Sequence, residues 1–303
     1  MKHDLQNILT CPVCDEKAFK HFISAKDHNV SNDSFNVVEC CSCGFRFTNP
    51  KPSETTIGKY YQSNEYISHT SSKKGLFNFV YHLIRNYQLK KKEKLISLFN
   101  DKRKTLLDFG SGTGEFLNYC QEKSWKVVGV EPEEKAAEFA QKNYNLCIED
   151  VSSFFSFEEE KFNVITLWHV LEHVYDLNKY LNHFQKVLKK NGIIVLGLPN
   201  CNSHDAKYYK ENWVAWDLPI HLYHFTKKDI KKLAKKHGFV LEEVFPLVFD
   251  SFYISMLSQK KKSKSKFLGL WRGFVSNLKA KKTGEFSSHI YVLRKTALYH
   301  VLR

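Results

Sequence analysis

Four cysteines near the N-terminus have the spacing of a metal site. Residues 11–14 read CPVC and residues 40–43 read CCSC, with 25 residues between the two pairs. Two CxxC pairs can bring four thiolates into a tetrahedron, which is the geometry of structural zinc. Such a closed site leaves no position for a reacting molecule. We therefore predict one structural Zn²⁺ whose ligands are Cys11, Cys14, Cys40 and Cys43.

A glycine-rich loop is the second group of residues whose spacing indicates chemistry. The apolar segment 105–109 (TLLDF) runs into Gly110, Gly112 and Gly114, after which a helical pattern begins. Glycines let the backbone turn sharply and approach a ligand closely. Asp108 puts negative charge beside the loop, which disfavours a diphosphate at the helix N-terminus. The pattern favours a cofactor that carries a cation.

Two further carboxylates follow predicted strands. Glu131 ends the second strand, 17 residues after Gly114. A carboxylate at that strand end can accept hydrogen bonds from both hydroxyls of a ribose. Asp150 follows the presumed third strand, where it can receive an adenine amino group. Together with the glycine loop, these residues predict a nucleoside-containing cofactor.

Alternating strands and helices must position these groups. The apolar runs predict strands over 105–109, 126–130, 162–167, 192–198, 240–248 and 288–293, with one more before Asp150. Helical periodicity predicts helices over 115–123, 133–143, 177–189 and 227–237. This alternation indicates an α/β fold, with a Rossmann-like, doubly wound, seven-stranded sheet and a small N-terminal zinc ribbon. We divide the chain into a ribbon module (1–50), a helical connector that contributes to the active site (51–103) and a cofactor-binding domain (104–303) with a helical insertion at about 250–284.

Three motifs together resemble the class I S-adenosylmethionine (SAM)-dependent methyltransferases. They are 106–114 (LLDFGSGTG), 128–132 (VGVEP) and 162–173 (FNVITLWHVLEH). The resemblance implies that SAM is the cofactor, that the three glycines flank its methionine and ribose, and that Glu131 holds the ribose.

The segment HVLEH contains a second pattern. His169, Glu172 and His173 fit the HxxEH signature of a zinc peptidase family, but here the segment follows a buried strand of a nucleotide-type sheet. Some O-methyltransferases of this class hold a divalent ion with a Glu-His pair at this place, so a metal-assisted O-methyltransferase using Glu172 and His173 is one alternative. The other is that His169 and His173 shape the cofactor pocket.

The layout of the whole chain carries a narrower resemblance. The cysteine ribbon, the segment 48–52 (TNPKP), the tyrosines at 60–61 and 66, and then the SAM domain resemble bacterial methyltransferases associated with sugar and surface-polysaccharide modification. In the similar deoxysugar C-methyltransferases a tyrosine segment closes over the methionine end of the cofactor, which implies this role for Tyr61 and Tyr66. A segment similar to 217–226 (DLPIHLYHFT) supplies a base, and His221 matches that base best, with His224 beside it. Both histidines can also be read as hydrogen-bonded loop residues.

Composition and charge limit the classes of partner and location that we expect for this protein. The formal charge is +14, but lysines recur in many short groups along the chain, which favours a solvated surface over a nucleic-acid face. The apolar share of 43% excludes general disorder. The first residues lack a signal-peptide pattern and no run is long enough to span a membrane, so we expect a cytoplasmic location. The sequence does not predict the oligomeric state.

The predicted function is methyl transfer to a small-molecule or glycan-type acceptor, such as a surface polysaccharide or a lipid-linked sugar. An RNA or protein methyltransferase is an alternative suggested by the charge and the ribbon. A binding module without catalysis is another.

The C-terminal segment adds a further expectation. We predict a helix over 260–282 that ends at Gly284 and acts as a lid. Its apolar face comprises Phe267, Leu270, Trp271, Phe274, Val275 and Leu278. This face either packs on the sheet domain or, with its basic rim, makes peripheral contact with an anionic membrane surface.

Overall fold

A computed structural model describes residues 4–61, 76–99, 104–263 and 265–296. Its strands are β1 (Leu5–Gln6), β2 (Phe19–Lys26), β3 (Ser34–Cys40), β4 (Arg46–Thr48), β5 (Lys51–Pro52), β6 (Thr105–Phe109), β7 (Lys126–Val130), β8 (Ile148–Glu149), β9 (Phe162–Trp168), β10 (Leu188–Pro199), β11 (Tyr223–His224), β12 (Phe239–Pro246) and β13 (Ser288–Lys295). Its α-helices are α1 (Leu76–Phe99), α2 (Glu115–Glu122), α3 (Glu134–Tyr144), α4 (Val151–Phe154), α5 (Leu177–Val187), α6 (His204–Tyr209), α7 (Lys227–Lys236), α8 (Asp250–Ser263) and α9 (Lys266–Thr283).

The central sheet has seven strands in the order β12-β13-β10-β9-β6-β7-β8. Strand β13 is antiparallel to both β10 and β12, whereas β10, β9, β6, β7 and β8 pair in parallel. The predicted α/β class and seven-stranded sheet are confirmed. Because parallel strands end at the same edge, the residues that follow β6, β7, β8 and β9 are brought together there.

The boundary between α5 and β10 differs from the prediction. The helical pattern predicts α5 to Lys189, but the helix ends at Val187 and Leu188 already has extended backbone. Strand β10 pairs with β9 at Leu188, is interrupted by an irregularity, and pairs again from Ile193. Sequence periodicity missed this early pairing because the interrupting residues are polar.

A second sheet joins the N-terminal module to the rest of the chain. Its order is β11-β4-β3-β2, so a strand from residues 223–224 completes a sheet otherwise built from residues 19–48. Phe45 and Phe47 are fully buried, and Phe45 stacks against Tyr223 and contacts the tilted ring of Phe225. The module is therefore tied to the segment that carries His221 and His224.

The C-terminal segment forms two helices instead of the single helix predicted over 260–282. Helix α8 ends at Ser263, and Ser265 caps α9 by accepting a hydrogen bond from the Leu268 amide. The predicted stop is confirmed, because Gly284 ends α9 with a φ of +77°. The interpretation that the apolar face packs on the sheet domain is wrong, since Phe267 is 87% and Trp271 58% exposed.

Within the described parts of the chain, every helix falls short of the length and apolar character needed to cross a membrane.

Candidate active site

The glycine loop between β6 and α2 has two glycines fixed by packing and one facing open space. A Cβ on Gly110 would lie 2.4 Å from Val170 Cγ2, and one on Gly114 would lie 2.7 Å from Leu146 Cδ1. A Cβ on Gly112 would meet nothing within 4 Å. All three have positive φ, which favours glycine. The loop can therefore receive a ligand against the backbone at Gly112.

Glu131, directly after β7, accepts a hydrogen bond from the glycine loop. Its Oε2 accepts a 2.7 Å hydrogen bond from the Gly112 amide, and its Oε1 accepts one of 3.0 Å from the Glu133 amide. Burial raises the pKa of Glu131, although both amides oppose the shift. Asp150, after β8, is exposed and caps α4, where Oδ1 accepts a 2.8 Å bond from the Ser153 amide. Both carboxylates therefore lie at strand ends on the edge that carries the loop.

Asp108 is buried beneath the loop, near a lysine that the sequence analysis did not single out. Its Oδ1 accepts a 2.6 Å hydrogen bond from the Thr166 hydroxyl on β9. Burial raises the pKa of Asp108 to about 7, and the Thr166 bond and the charge of Lys92 oppose this. Lys92 on α1 places its Nζ 4.0 Å from the centroid of the Trp168 ring.

His169 follows β9 with a left-handed backbone, φ +57°. Its Nε2 lies 3.1 Å from Asp250 Oδ2 at the start of α8, and its Nδ1 lies 3.7 Å from Glu172 Oε1. Burial alone would lower the pKa of His169, but the two carboxylates outweigh burial and raise it to about 10. His169 is therefore a cation in this site, and Asp250 is a second residue that sequence reasoning missed.

Glu172, His173 and His221 meet in a cluster whose ligand atoms lie within 4.8 Å of one another. Both carboxylate oxygens of Glu172 are buried and have no hydrogen-bond partner among the described residues. Tyr61 places its hydroxyl 3.0 Å from His173 Nδ1, and burial lowers the pKa of His173 to about 3. Imidazole nitrogens beside a buried carboxylate can hold a divalent cation or orient an acceptor. Tyr66 lies outside the described residues.

The two histidines of the 217–226 segment have different surroundings. His221 donates from Nδ1 to the Ala215 carbonyl at 2.9 Å, and its other ring nitrogen, Nε2, lies 4.0 Å from Asp217 Oδ2. His224 lies with Nε2 3.2 Å from Thr48 Oγ1, and burial lowers its pKa well below the usual value. A small cavity is lined by Pro199, Cys201, Trp213, Ala215, His221, Tyr223 and His224.

Thr48 connects this segment to the N-terminal module. Its hydroxyl donates a 2.6 Å hydrogen bond to the His221 carbonyl, and its amide donates to the Leu222 carbonyl at 2.9 Å. Thr48 is the last residue of β4, which pairs with β11. Thr48 begins the segment 48–52 (TNPKP), but nothing in the sequence predicts its contact with His221, because the two residues are 173 positions apart.

The four N-terminal cysteines converge as their spacing predicts. The Sγ atoms of Cys11 and Cys43 lie 3.6 Å apart, and those of Cys14 and Cys40 lie 3.5 Å apart. Four thiolates at about 2.3 Å from Zn²⁺ have edges of about 3.8 Å, close to these separations. Gly44 follows the second pair with a φ of +80° and donates from its amide to the Cys40 carbonyl, which makes a tight turn directly after the cysteines. The donor set therefore suits a structural zinc ion.

Comparison with known proteins identifies the family to which this arrangement belongs. Residues 81–244, more than half of the chain, match the family described as "Methyltransferase domain". The chain belongs to this methyltransferase family. It is a SAM-dependent enzyme, as the motif resemblance implied.

Individual relatives of this methyltransferase are distant. The ubiquinone biosynthesis O-methyltransferase of Pelagibacter ubique (strain HTCC1062) is 25% identical over 179 residues, which are 55% of this chain and 72% of that protein. A putative sarcosine dimethylglycine methyltransferase from Galdieria sulphuraria has 14% identity and a TM-score of 0.49, over 71% of this chain and 86% of that chain. A SAM-dependent methyltransferase from Archaeoglobus fulgidus has 19% identity and a TM-score of 0.48, over 70% and 94%. The acceptor must therefore be inferred from this methyltransferase's own site.

Proposed function

We propose that this methyltransferase transfers the methyl group of SAM to a hydroxyl-bearing small-molecule or glycan-type acceptor, with a surface-polysaccharide precursor or lipid-linked sugar as the preferred class. The observation that carries the proposal is His221, whose Nδ1 is bonded to the Ala215 carbonyl and which lies beside His173 and Glu172. The resemblance to sugar-modifying methyltransferases supports the acceptor class. The scattered lysines give no reason to propose a nucleic-acid acceptor.

For the cofactor, we propose that Gly112 and Glu131 face the ribose, with Gly110 and Gly114 shaping the loop. Asp108, His169, Tyr61 and Tyr66 are proposed to surround the methionine end, and Asp150 the adenine. Losing a charge-assisted hydrogen bond costs about 1.5–3 kcal/mol, so Glu131→Ala should weaken SAM binding roughly ten- to a hundredfold. Calorimetry measures this, with Glu134→Gln, an exposed carboxylate on α3, as the control. Unchanged affinity in Glu131→Ala would remove Glu131 from the site.

For the chemistry, we propose that His221 acts as general base. The acceptor oxygen attacks the methyl carbon, the sulfonium leaves as S-adenosylhomocysteine, and the acceptor proton passes to His221 Nε2. Such transfer needs alignment and a base more than electrophilic help. His224 is proposed to position the segment through Thr48.

A screen of sugar and lipid-linked acceptors tests the acceptor class. On the acceptor it identifies, His221→Ala should slow turnover roughly 10²–10⁴-fold while SAM binding survives. Conversion of RNA or protein, with every glycan inert, would overturn the acceptor proposal. Full activity in His221→Ala would overturn the base assignment.

A metal-assisted O-methyltransferase is the second candidate, because both oxygens of Glu172 are buried and find no hydrogen-bond partner in the part of the chain that the structure describes. In this alternative Glu172, His173 and His221 hold a divalent cation, which would lower the pKa of an acceptor hydroxyl. Titration with Mn²⁺ by electron paramagnetic resonance distinguishes the candidates. Mn²⁺ binding that disappears in Glu172→Gln favours the metal-assisted mechanism. If the wild type binds no Mn²⁺, the general-base mechanism is favoured.

For the cysteines, we propose one zinc ion held by Cys11, Cys14, Cys40 and Cys43. The proposed role of residues 1–50 is to brace the segment after β10 in the domain 104–303, with residues 51–103 between them contributing Tyr61. Elemental analysis of protein purified without chelator measures the zinc. Stoichiometric zinc that persists in a Cys40→Ser/Cys43→Ser variant would remove these ligands.

A further inference from the structure

Helix α9 presents two opposite faces, and only one of them has a partner. A Cβ on Gly269 would lie 2.5 Å from Met256 Cα, and one on Gly273 would lie 2.7 Å from the Ser251 carbonyl oxygen. These contacts press the small-residue face of α9 directly onto α8. With 3.6 residues per turn, the larger residues of α9 fall on the side of the helix opposite Gly269 and Gly273.

The opposite side carries a continuous row of exposed apolar residues, which we call the apolar stripe. It consists of Phe267, Leu270, Trp271, Phe274 and Leu278. Their exposed fractions are 87, 43, 58, 44 and 45%. Single exposed apolar residues are ordinary, but five on one face of one helix mark an interaction surface.

The charge around the apolar stripe has a single sign. From Ser251 to Gly284 the chain contains nine lysines and arginines and no aspartate or glutamate. Lys281 and Lys282 are exposed and lie about one turn beyond Leu278 on the side of the stripe. The surface therefore combines large apolar side chains with a cationic rim.

We propose that the apolar stripe docks on an anionic lipid surface. Apolar side chains enter the boundary between headgroups and acyl chains, and the flanking lysines meet the lipid phosphates and carboxylates. A second copy of the chain fits less well, because pairing two stripes would bring two cationic rims together. A nucleic acid would match the charge but would leave the leucines and phenylalanines uncovered.

Docking would hold the candidate active site close to the lipid. Helix α8 begins at Asp250, which contacts His169 in the site, and α9 packs along α8. A lipid-linked acceptor could then be reached without leaving the surface. This consequence rests on the proposed acceptor class, whereas lipid binding itself does not depend on turnover.

The first test measures co-sedimentation of the full-length protein with vesicles at low and high salt. The vesicles are phosphatidylcholine alone or phosphatidylcholine mixed with phosphatidylserine. We expect binding to the mixed vesicles that weakens with salt, and a Phe267→Ser/Trp271→Ser variant should bind roughly tenfold more weakly or worse. Leu98→Ser, which changes a 72% exposed leucine on α1, is the matched control and should bind as the wild type does.

The second test separates the cationic rim from the stripe. Each lysine near an anionic surface contributes about fivefold in affinity, so Lys281→Gln/Lys282→Gln should lose roughly tenfold or more. Lys228→Gln/Lys231→Gln, exposed lysines on α7, is the control. Absence of binding to mixed vesicles overturns the proposal. So does a wild-type dimer in analytical ultracentrifugation that the stripe variant dissociates, or wild-type lipid binding by the stripe variant.

Discussion

At the residue scale, two neighbouring histidines of the candidate site have pKa values shifted in opposite directions. His169 lies between Asp250 and Glu172, which raise its pKa, whereas burial lowers the pKa of His173. One imidazole is therefore cationic and the other neutral, although they are four residues apart. A neutral imidazole beside His221 can accept or relay a proton, and the cationic one compensates the buried carboxylates.

Lys92 carries a prediction of its own. The amino-acid end of SAM has one ammonium and one carboxylate, and Lys92 with Asp108 offers the complementary pair beside the glycine loop. Lys92→Met should weaken S-adenosylhomocysteine binding roughly ten- to a hundredfold, because a charge-assisted hydrogen bond is lost. Binding of 5′-methylthioadenosine, which has no amino-acid group, should not change. Calorimetry with both ligands measures the difference.

The exposed Lys94 on the same helix provides the control, since Lys94→Met should bind both ligands as the wild type does. Equal loss of affinity for both ligands in Lys92→Met would show that the lysine only supports the fold.

Some of these residues could be read from the sequence and others could not. Gly110, Gly112 and Glu131 sit in short motifs whose spacing alone predicts a ligand site. Lys92 belongs to a lysine group that reads as surface, and only its position three residues from the buried Leu95 distinguishes it. Asp250 lies at the start of α8, far from the motifs in sequence, so only the fold shows that it contacts His169.

At the element scale, β4 couples the cysteine cluster to the candidate base. Strand β4 pairs with β11, and Thr48 bonds the His221 carbonyl, so residues 46–48 fix the segment that carries the histidine. Loss of zinc should therefore lower turnover through misplacement of His221, while the glycine loop keeps its affinity for SAM. Cys40→Ser/Cys43→Ser should reduce zinc content and kcat together and leave SAM binding within about twofold.

Cys41 offers a matched control, because it lies between the two replaced cysteines and is exposed. Cys41→Ser should keep both zinc and activity. A zinc-free variant with full kcat would contradict the bracing role.

The packing of α5 against α7 gives a pH dependence. His237 directly follows α7 and places Nδ1 2.8 Å from the side-chain amide of Asn182 and Nε2 2.9 Å from that of Asn178, both on α5. Burial lowers the pKa of His237 from 6.5 to about 4. Between pH 6.5 and about pH 4, this histidine binds a proton in the unfolded chain but not in the folded chain. The free energy of unfolding should therefore fall as pH falls through this range, by up to about 3 kcal/mol.

Denaturant titrations at several pH values measure this change. His237→Gln should have a shallower dependence on pH than the wild type over the same range, whereas the exposed His21→Gln should match the wild type. Identical slopes for wild type and His237→Gln would show that the histidine titrates normally.

Elements were easier to predict than their contacts. Apolar runs predicted β6 and β9 because both strands are largely buried, and the central sheet follows from the alternation of such runs with helices. The break between α8 and α9 was missed because the lysine-rich run before Ser265 has good helix propensity. The pairing of β4 with β11 was missed because each strand is too short to show a period.

At the scale of the whole molecule, the N-terminal module and the methyltransferase sheet share one core. Cys11 and Phe45 of the module belong to the same buried cluster as Leu107 and Leu196 of the sheet. Lys51 also donates a 2.7 Å hydrogen bond to the Tyr175 carbonyl. Unfolding of the N-terminal module would therefore expose apolar surface of the sheet to water, and unfolding of the sheet would expose apolar surface of the module.

This shared core predicts a single unfolding transition for the zinc-loaded protein. In a Cys41→Ser/Cys147→Ser background, which removes the two exposed thiols, reactivity of the remaining cysteines reports mainly on the module. Fluorescence of the buried Trp125, which packs among residues of the central sheet, reports on the larger part. Both signals should change at the same temperature, and S-adenosylhomocysteine should shift both upward, since a ligand stabilises every part of a cooperative unit. Thiols that become reactive well below the fluorescence midpoint would show that the module unfolds alone, and its ability to brace His221 would then be lost before the enzyme unfolds.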